Sequence, residues 1–157
     1  MSLEDGAGLR AILDRMVREK EIAASFFARI AEKLEDVEQR RWFRRMAQDE
    51  KDQRKILLKH RRELCGAPVP GGTKVSSVHE ALDLAGRDGS PGYLEALRLA
   101  ARLADEARVF ASRASDVVSE RSCRIFLKIL SEESASHRLE LMAELRRVEA
   151  GDSAIAA

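Results

Sequence analysis

The stretch EKEIAASFFARIAEKLEDVEQRRWFRRMAQDEKDQRKILL, residues 19–58, decides the fold of this chain. Apolar residues recur in it every three or four positions, which is the spacing of amphipathic helices. Followed outward, this periodicity predicts one helix from about Leu9 to Leu34 and another from about Val37 to Leu64, with Gly66 placed to end the second. Two long helices joined by so short a connection are expected to form an antiparallel hairpin.

The second half of the chain repeats this pattern when it is shifted by 84 residues, without a gap. Matching pairs run along both helices: Leu9 and Tyr93, Leu13 and Leu97, Phe26 and Phe110, Trp42 and Phe126, Arg54 and Arg138, Leu57 and Leu141. Two copies of one antiparallel hairpin, joined by a long crossover linker, predict an all-α four-helix bundle. Chance similarity between amphipathic helices is the alternative.

The residues between the two copies, about 66–92, have the composition of a linker. The segment CGAPVPGGTKVSS, residues 65–77, holds two of the three prolines, and VHEALDLAG, residues 78–86, predicts a short helix. We therefore expect a single domain over residues 1–157. It would contain one hairpin at about 5–65, a second at about 93–150, and a frayed tail at 151–157.

Composition limits the class of protein. Hydrophobic residues make up 45% and charged residues 35%, as in all-helical proteins, and the net charge of +1 gives no field that favours nucleic acid. Cys65 and Cys123 stand alone, which excludes a zinc ribbon or a rubredoxin-type centre. No apolar run approaches the roughly 18 residues that span a bilayer, and no basic-then-apolar leader opens the chain. We expect a cytoplasmic protein with no membrane partner.

The inward face of each predicted helix is apolar except at one level. The residues at that level are Lys20, Glu50, Gln53, Ala104, Ser134 and His137. The shift of 84 residues pairs Lys20 with Ala104, Glu50 with Ser134, and Gln53 with His137. Burying a polar group without a partner costs about 2 kcal/mol or more, so this polar layer needs an explanation.

The two halves of the chain, residues 19–58 and YLEALRLAARLADEARVFASRASDVVSERSCRIFLKILSEESASHRLELM at 93–142, resemble the two halves of a rubrerythrin-type ferritin-like domain. The resemblance spans about Leu9 to Met142. Members of that family bind two irons through one Glu from the first and third helices and a Glu-x-x-His from the second and fourth. Laid on this chain without gaps, the six ligand places are the polar layer.

Only two ligand places keep the family's residues, Glu50 and His137. A diiron centre relies on about four carboxylates to balance its charge, and the ammonium group of Lys20 would repel a cation. The resemblance therefore implies a diiron site that has been lost, with no cofactor expected and a binding or scaffold role instead of catalysis. We hypothesise a buried ion pair between Lys20 and Glu50, with Gln53, Ser134 and His137 completing its hydrogen bonds.

A slipped metal site is the alternative. Its ligands would be Glu50 and His137 together with Glu21, Asp49, Asp105 and Glu133. Such a site would hold iron or another divalent metal and make the protein an oxidoreductase acting on peroxide or oxygen, dependent on a separate redox partner. One step along a helix turns a side chain by about 100°, however, which directs these four carboxylates toward interfaces or solvent.

Three further expectations concern surfaces. The basic segments RRWFRR, 40–45, and RKILLKHRR, 54–62, are interpreted as a solvated face with cations spread around the helix, so no nucleic-acid partner is expected. His79 is expected to be exposed at the start of the short helix. A homodimer is expected from the resemblance, with close approach through an alanine-rich third helix: Ala100, Ala101, Ala104, Ala107 and Ala111.

Overall fold

A computed structural model describes the backbone of residues 4–66, 74–88 and 92–156, and the side chains of residues 8–66, 74–85 and 92–151. The described residues form α1 (Glu4–Lys33), α2 (Val37–Cys65), α3 (Ser77–Asp88), α4 (Tyr93–Val117) and α5 (Arg121–Ala156), and they contain no strand. The predicted all-α class is therefore confirmed.

Helices α1 and α2 pack against each other as an antiparallel pair, which we call hairpin 1. At its open end the Arg10 guanidinium donates to the Cys65 carbonyl at 2.7 Å. Toward the connection, the rings of Phe27 and Phe43 lie 6.0 Å apart. Helix α2 ends where the sequence predicted, because Gly66 adopts the left-handed φ of 77° that favours glycine.

Helices α4 and α5 pack as a second antiparallel pair, hairpin 2. The Tyr93 hydroxyl donates to Glu144 at 2.8 Å, and the Ser131 hydroxyl donates to the Arg108 carbonyl at 3.0 Å. Each hairpin has an apolar interior of almost fully buried side chains. They are Leu13, Phe27, Phe43 and Leu57 in hairpin 1, and Leu97, Cys123, Leu127, Leu130 and Leu141 in hairpin 2.

The short helix α3 packs against α1. It begins one residue before the predicted start, since Ser76 caps it: the Ser76 hydroxyl accepts from the His79 N–H at 3.2 Å. Val78 and Leu82, four residues apart on one face, are buried.

The predicted frayed tail is wrong for the backbone, since α5 continues through Gly151 to Ala156. Gly66 alone among the described glycines has a positive φ, so Gly151 keeps a helical conformation and does not end the helix.

Internal contacts divide the chain into two compact units, Met1–Ser90 and Pro91–Ala157. The first holds hairpin 1 and α3, and the second holds hairpin 2. The single domain and the four-helix bundle stay predictions. No helix in the described part of the chain is long and apolar enough to cross a membrane.

Candidate functional site

An ion pair lies inside hairpin 1 at the polar level that the sequence predicts. The Lys20 ammonium on α1 and the Glu50 carboxylate on α2 are 3.0 Å apart, and their side chains are only 9% and 13% exposed. At this burial water screens the attraction poorly, and each charge depends on the other for its solvation. The structure thus contains the ion pair that the sequence led us to hypothesise.

The third member of the level in hairpin 1 is Gln53, which is buried one turn beyond Glu50 on α2. An amide can both donate and accept, so it suits a position beside an ion pair. The hydrogen bond from Gln53 to that pair stays a prediction.

Hairpin 2 has a different chemistry at the corresponding places. Ala104 and Ser134 are buried, and His137 is half-buried. Neither Ala104 nor Ser134 carries charge, so hairpin 2 contains no ion pair at these two places. That the six places form one layer stays a prediction.

Two of the four carboxylates proposed for a slipped metal site are engaged by arginines. Glu21 accepts from both Nε and Nη2 of Arg54, at 3.0 and 2.8 Å. Asp105 lies 3.0 Å from Arg108 and 3.5 Å from Arg138. These are the ordinary surface ion pairs of a charged shell.

The other two slipped candidates, Asp49 and Glu133, are half-buried and exposed respectively. The structure does not bring either of them beside the Lys20–Glu50 pair through any described contact. Within hairpin 1, the carboxylate of the polar level is therefore bound by an ammonium, and Glu21 is bound by a guanidinium.

A second buried polar cluster, which the sequence did not predict, joins α1 to the start of α3. Glu19 accepts from the Ser76 N–H at 3.0 Å and from the Arg15 guanidinium at 2.8 Å. The Ser76 hydroxyl lies 2.6 Å from Nδ1 of His79, and the Glu19 carboxylate is 3.6 Å from the same nitrogen. Because each group bonds to a residue on another segment, the cluster fastens α3 to α1.

The expectation of an exposed His79 is wrong, since the residue is only 2% exposed. Burial lowers the pKa of His79 to about 3, and the positive charges of Lys20 and Arg15 lower it further. The ring is therefore neutral at neutral pH. The signal in the sequence was the capping serine three residues before His79, between the apolar Val75 and Val78, which marks a helix start that packs on a core.

This cluster contains a serine, a histidine and an acid, but its geometry is not that of a hydrolase triad. In a triad the serine and the acid bind opposite nitrogens of the imidazole ring. Here Ser76 and Glu19 both approach Nδ1, and the serine and histidine are both buried. The arrangement holds backbone and side chains in place and does not activate a nucleophile.

The alanine-rich face of α4 does not supply a free surface. Ala100, Ala101, Ala104 and Ala111 are buried within the single chain, which leaves only Ala107 half-buried. The reason given for an interface on this helix is therefore wrong, because these side chains already pack inside the molecule. The homodimer itself stays a prediction.

Comparison with known proteins gives a relationship of fold. No protein-family model matches this chain, and neither does any curated protein. A solved structure of a hypothetical protein from Pyrococcus furiosus is similar over 88% of this chain and 88% of its own, with a TM-score of 0.71 and 17% sequence identity. At this level of identity, the similarity shows that the two proteins share a helical fold.

Proposed function

We propose that this chain is a rubrerythrin-like, ferritin-like protein in which a structural ion pair has replaced the diiron site, leaving a binding or scaffold role. The observation that carries the proposal is the distance of 3.0 Å between Lys20 and Glu50, two of the six ligand places, inside hairpin 1. The carboxylate that would bridge two metal ions instead neutralises an ammonium group.

The electrostatics at this level support the loss of the metal. A divalent cation about 4 Å from an ammonium group would be repelled by about 8 kcal/mol at an effective dielectric constant of about 20. Apart from Glu50, the ligand places offer no carboxylate to offset that repulsion. The places as they stand therefore favour an ion pair over a metal centre.

Corresponding bonds in the two hairpins support a ferritin-like repeat. The Gln39 N–H donates to the capping Asp36 at 2.9 Å, and 84 residues later the Cys123 N–H donates to Glu120 at 2.6 Å. The ion pairs Glu21–Arg54 and Asp105–Arg138 are likewise separated by the same shift. Chance similarity between amphipathic helices explains apolar periodicity but not matching caps and ion pairs.

Metal analysis tests the proposal. The protein should be purified without chelator, incubated with Fe(II), Mn(II) or Zn(II), desalted, and assayed for metal per chain. We expect trace metal only, because the ion pair occupies the site. Near-stoichiometric metal would contradict the proposal and favour the second reading, an oxidoreductase with an altered ligand set.

A rebuilt variant makes the test positive as well as negative. Its four substitutions restore the family's ligands: Lys20→Glu, Gln53→His, Ala104→Glu and Ser134→Glu. If the arrangement is ferritin-like, this variant should bind about two iron ions per chain. Circular dichroism establishes that it is folded, and a folded variant that binds no metal would argue against the ferritin-like arrangement.

A further inference from the structure

The solvent-facing side of α2 carries a row of cations. Its members are Arg41, Arg44, Lys51, Lys55, Lys59 and Arg62, and all six are exposed. At 100° per residue they fall within an arc of about 80°, and at 1.5 Å per residue the row is about 32 Å long. No acidic residue lies inside this arc, and Asp52 at its edge accepts a hydrogen bond from Gln48 at 2.9 Å. We call these six residues the basic face.

The remaining arginines of α2 explain why the sequence did not predict this surface. Arg40 donates to the carbonyls of Leu34 and Glu35, Arg54 is paired with Glu21, and Arg61 is buried and paired with Asp14. With these cations turned toward acceptors, the exposed ones form one row. The expectation that the cations of α2 are spread around the helix is therefore wrong.

The cations of the basic face keep their charge available. Arg44, Lys51, Lys55, Lys59 and Arg62 form no ion pair or hydrogen bond with any residue that the structure describes, and Arg41 has an exposed pair with Glu38 at 3.6 Å. An exposed pair of this kind is worth little and is readily exchanged for another anion. Six adjacent like charges repel one another, and a bound polyanion would relieve that repulsion.

Hairpin 2 shows that the helical hairpin does not require this row. The corresponding residues, 84 positions later, are Ile125, Lys128, Ala135, Leu139, Ala143 and Arg146. Only two of the six are cations, and Leu139 is 68% exposed. Since the same positions can carry uncharged residues, solvation alone does not account for the basic face.

We propose that the basic face of α2 binds the phosphate backbone of double-stranded nucleic acid. A duplex presents one negative charge per about 1.7 Å of its length, in a line that a straight row of cations can follow. The row contains no apolar residue that could enter a lipid bilayer, as membrane-surface helices require. Its neighbour Trp42 is half-buried with its ring 5.6 Å from that of Phe43, so it does not offer a platform for unpaired bases.

The contacts available make the binding independent of base sequence and strongly dependent on salt. Phosphate contacts fix position but do not read sequence. With up to six phosphates neutralised, the logarithm of the binding constant should fall against the logarithm of salt concentration with a slope of up to about −5. The net charge of +1 adds no long-range attraction, so the affinity depends on this face alone.

The test is fluorescence anisotropy of a labelled DNA duplex of about 20 base pairs, which exceeds the roughly 10 base pairs that the row spans. The parent protein should bind at about 50 mM salt and be released as salt is raised. The double variant Lys51→Gln/Lys55→Gln should bind at least about tenfold more weakly, with a slope reduced by about 2.

Hairpin 2 supplies the matched control, Lys128→Gln/Arg146→Gln, which removes the same charge from the corresponding helix and should bind DNA like the parent. Equal losses in both double variants, or no binding by the parent at low salt, would overturn the proposal. Binding to vesicles of anionic lipid but not to duplex would also overturn it. The inference does not depend on the state of the ligand places, so either proposal can fail while the other stands.

Discussion

The two hairpins place different side chains at corresponding positions. Hairpin 1 holds the charged pair Lys20 and Glu50 inside, whereas hairpin 2 holds the small residues Ala104 and Ser134. In both, the surrounding apolar positions are buried and the helices pack in the same antiparallel way. The difference teaches that one level of a helical interior can change its chemistry, provided that facing residues change together: charge with charge, small with small.

A second contrast lies outside the cores. Hairpin 1 is fastened to α3 through Glu19, Ser76 and His79 and carries the basic face, while the corresponding surface of hairpin 2 is largely uncharged. The features that point to function are thus concentrated in hairpin 1. Each of the following experiments asks whether that concentration has energetic consequences.

The largest effect should come from breaking the ion pair. Glu50→Gln leaves the Lys20 ammonium buried without its counter-charge, which should cost about 3 kcal/mol or more in the free energy of unfolding. The matched change in hairpin 2, Ser134→Ala, should cost only about 1 kcal/mol. Urea denaturation measures both, and equal losses would show that the charged level of hairpin 1 is not special.

The next effect should come from the pH dependence that His79 confers. With its pKa lowered to about 3 by burial, the folded protein keeps His79 neutral, whereas the unfolded chain binds a proton near pH 6.5. The unfolded state therefore binds more protons as the pH falls, so stability is lost below about pH 6.5. One such group should remove about 2 kcal/mol between pH 7 and pH 5.

A comparison with the His79→Leu variant isolates this contribution from that of other titrating groups. Denaturation curves of parent and variant at pH 7 and pH 5 should show a smaller loss for the variant, by the same 2 kcal/mol or about that amount. Parallel losses in the two proteins would mean that His79 titrates normally in the folded state.

A smaller and equal effect is expected at the two helix caps. Asp36→Ala and Glu120→Ala each remove a carboxylate that accepts a backbone N–H at the start of α2 or α5, and each should cost about 1 kcal/mol. The adjacent surface change Glu35→Ala is the control and should be neutral in thermal melts. Unequal costs at the two caps would weaken the correspondence between the hairpins.

The smallest effect should come from the surface ion pairs. Glu21→Gln breaks a pair with two hydrogen bonds of 3.0 and 2.8 Å, and Asp105→Asn breaks a pair of 3.5 Å to Arg138. Each should cost less than about 1 kcal/mol, with the larger loss at Glu21, and high salt should abolish both. A loss of several kcal/mol at either position, measured by urea denaturation, would point to a buried role that the structure does not show.

Much of the fold was predictable because helical periodicity records which face is buried. Leu13, Phe43, Leu57 and Leu97 were placed on inward faces by spacing alone, and all four are buried. The end of α2 was predictable because Gly66 is suited to a left-handed conformation. The continuation of α5 past Gly151 was not, since a glycine marks a possible helix end without requiring one.

The polar contacts were predictable only where both partners lie on regular helices. Lys20 and Glu50 face each other across two antiparallel helices, so spacing was sufficient to pair them. His79 lies at the start of a short helix after a linker, where periodicity does not tell which side meets the core. The basic face was missed because its definition requires knowing that Arg40, Arg54 and Arg61 turn toward acceptors.

The central claim, that an ion pair has taken the place of a metal ligand set, is tested most directly by a double-mutant cycle. The proteins are the parent, Lys20→Met, Glu50→Leu and the combination, with the free energy of unfolding measured for each. We predict losses of about 3 to 5 kcal/mol for each single variant and recovery of most of that loss in the double variant, because no charge is then left buried alone. A double variant that loses the sum of the two single losses, or single variants as stable as the parent, would contradict the claim.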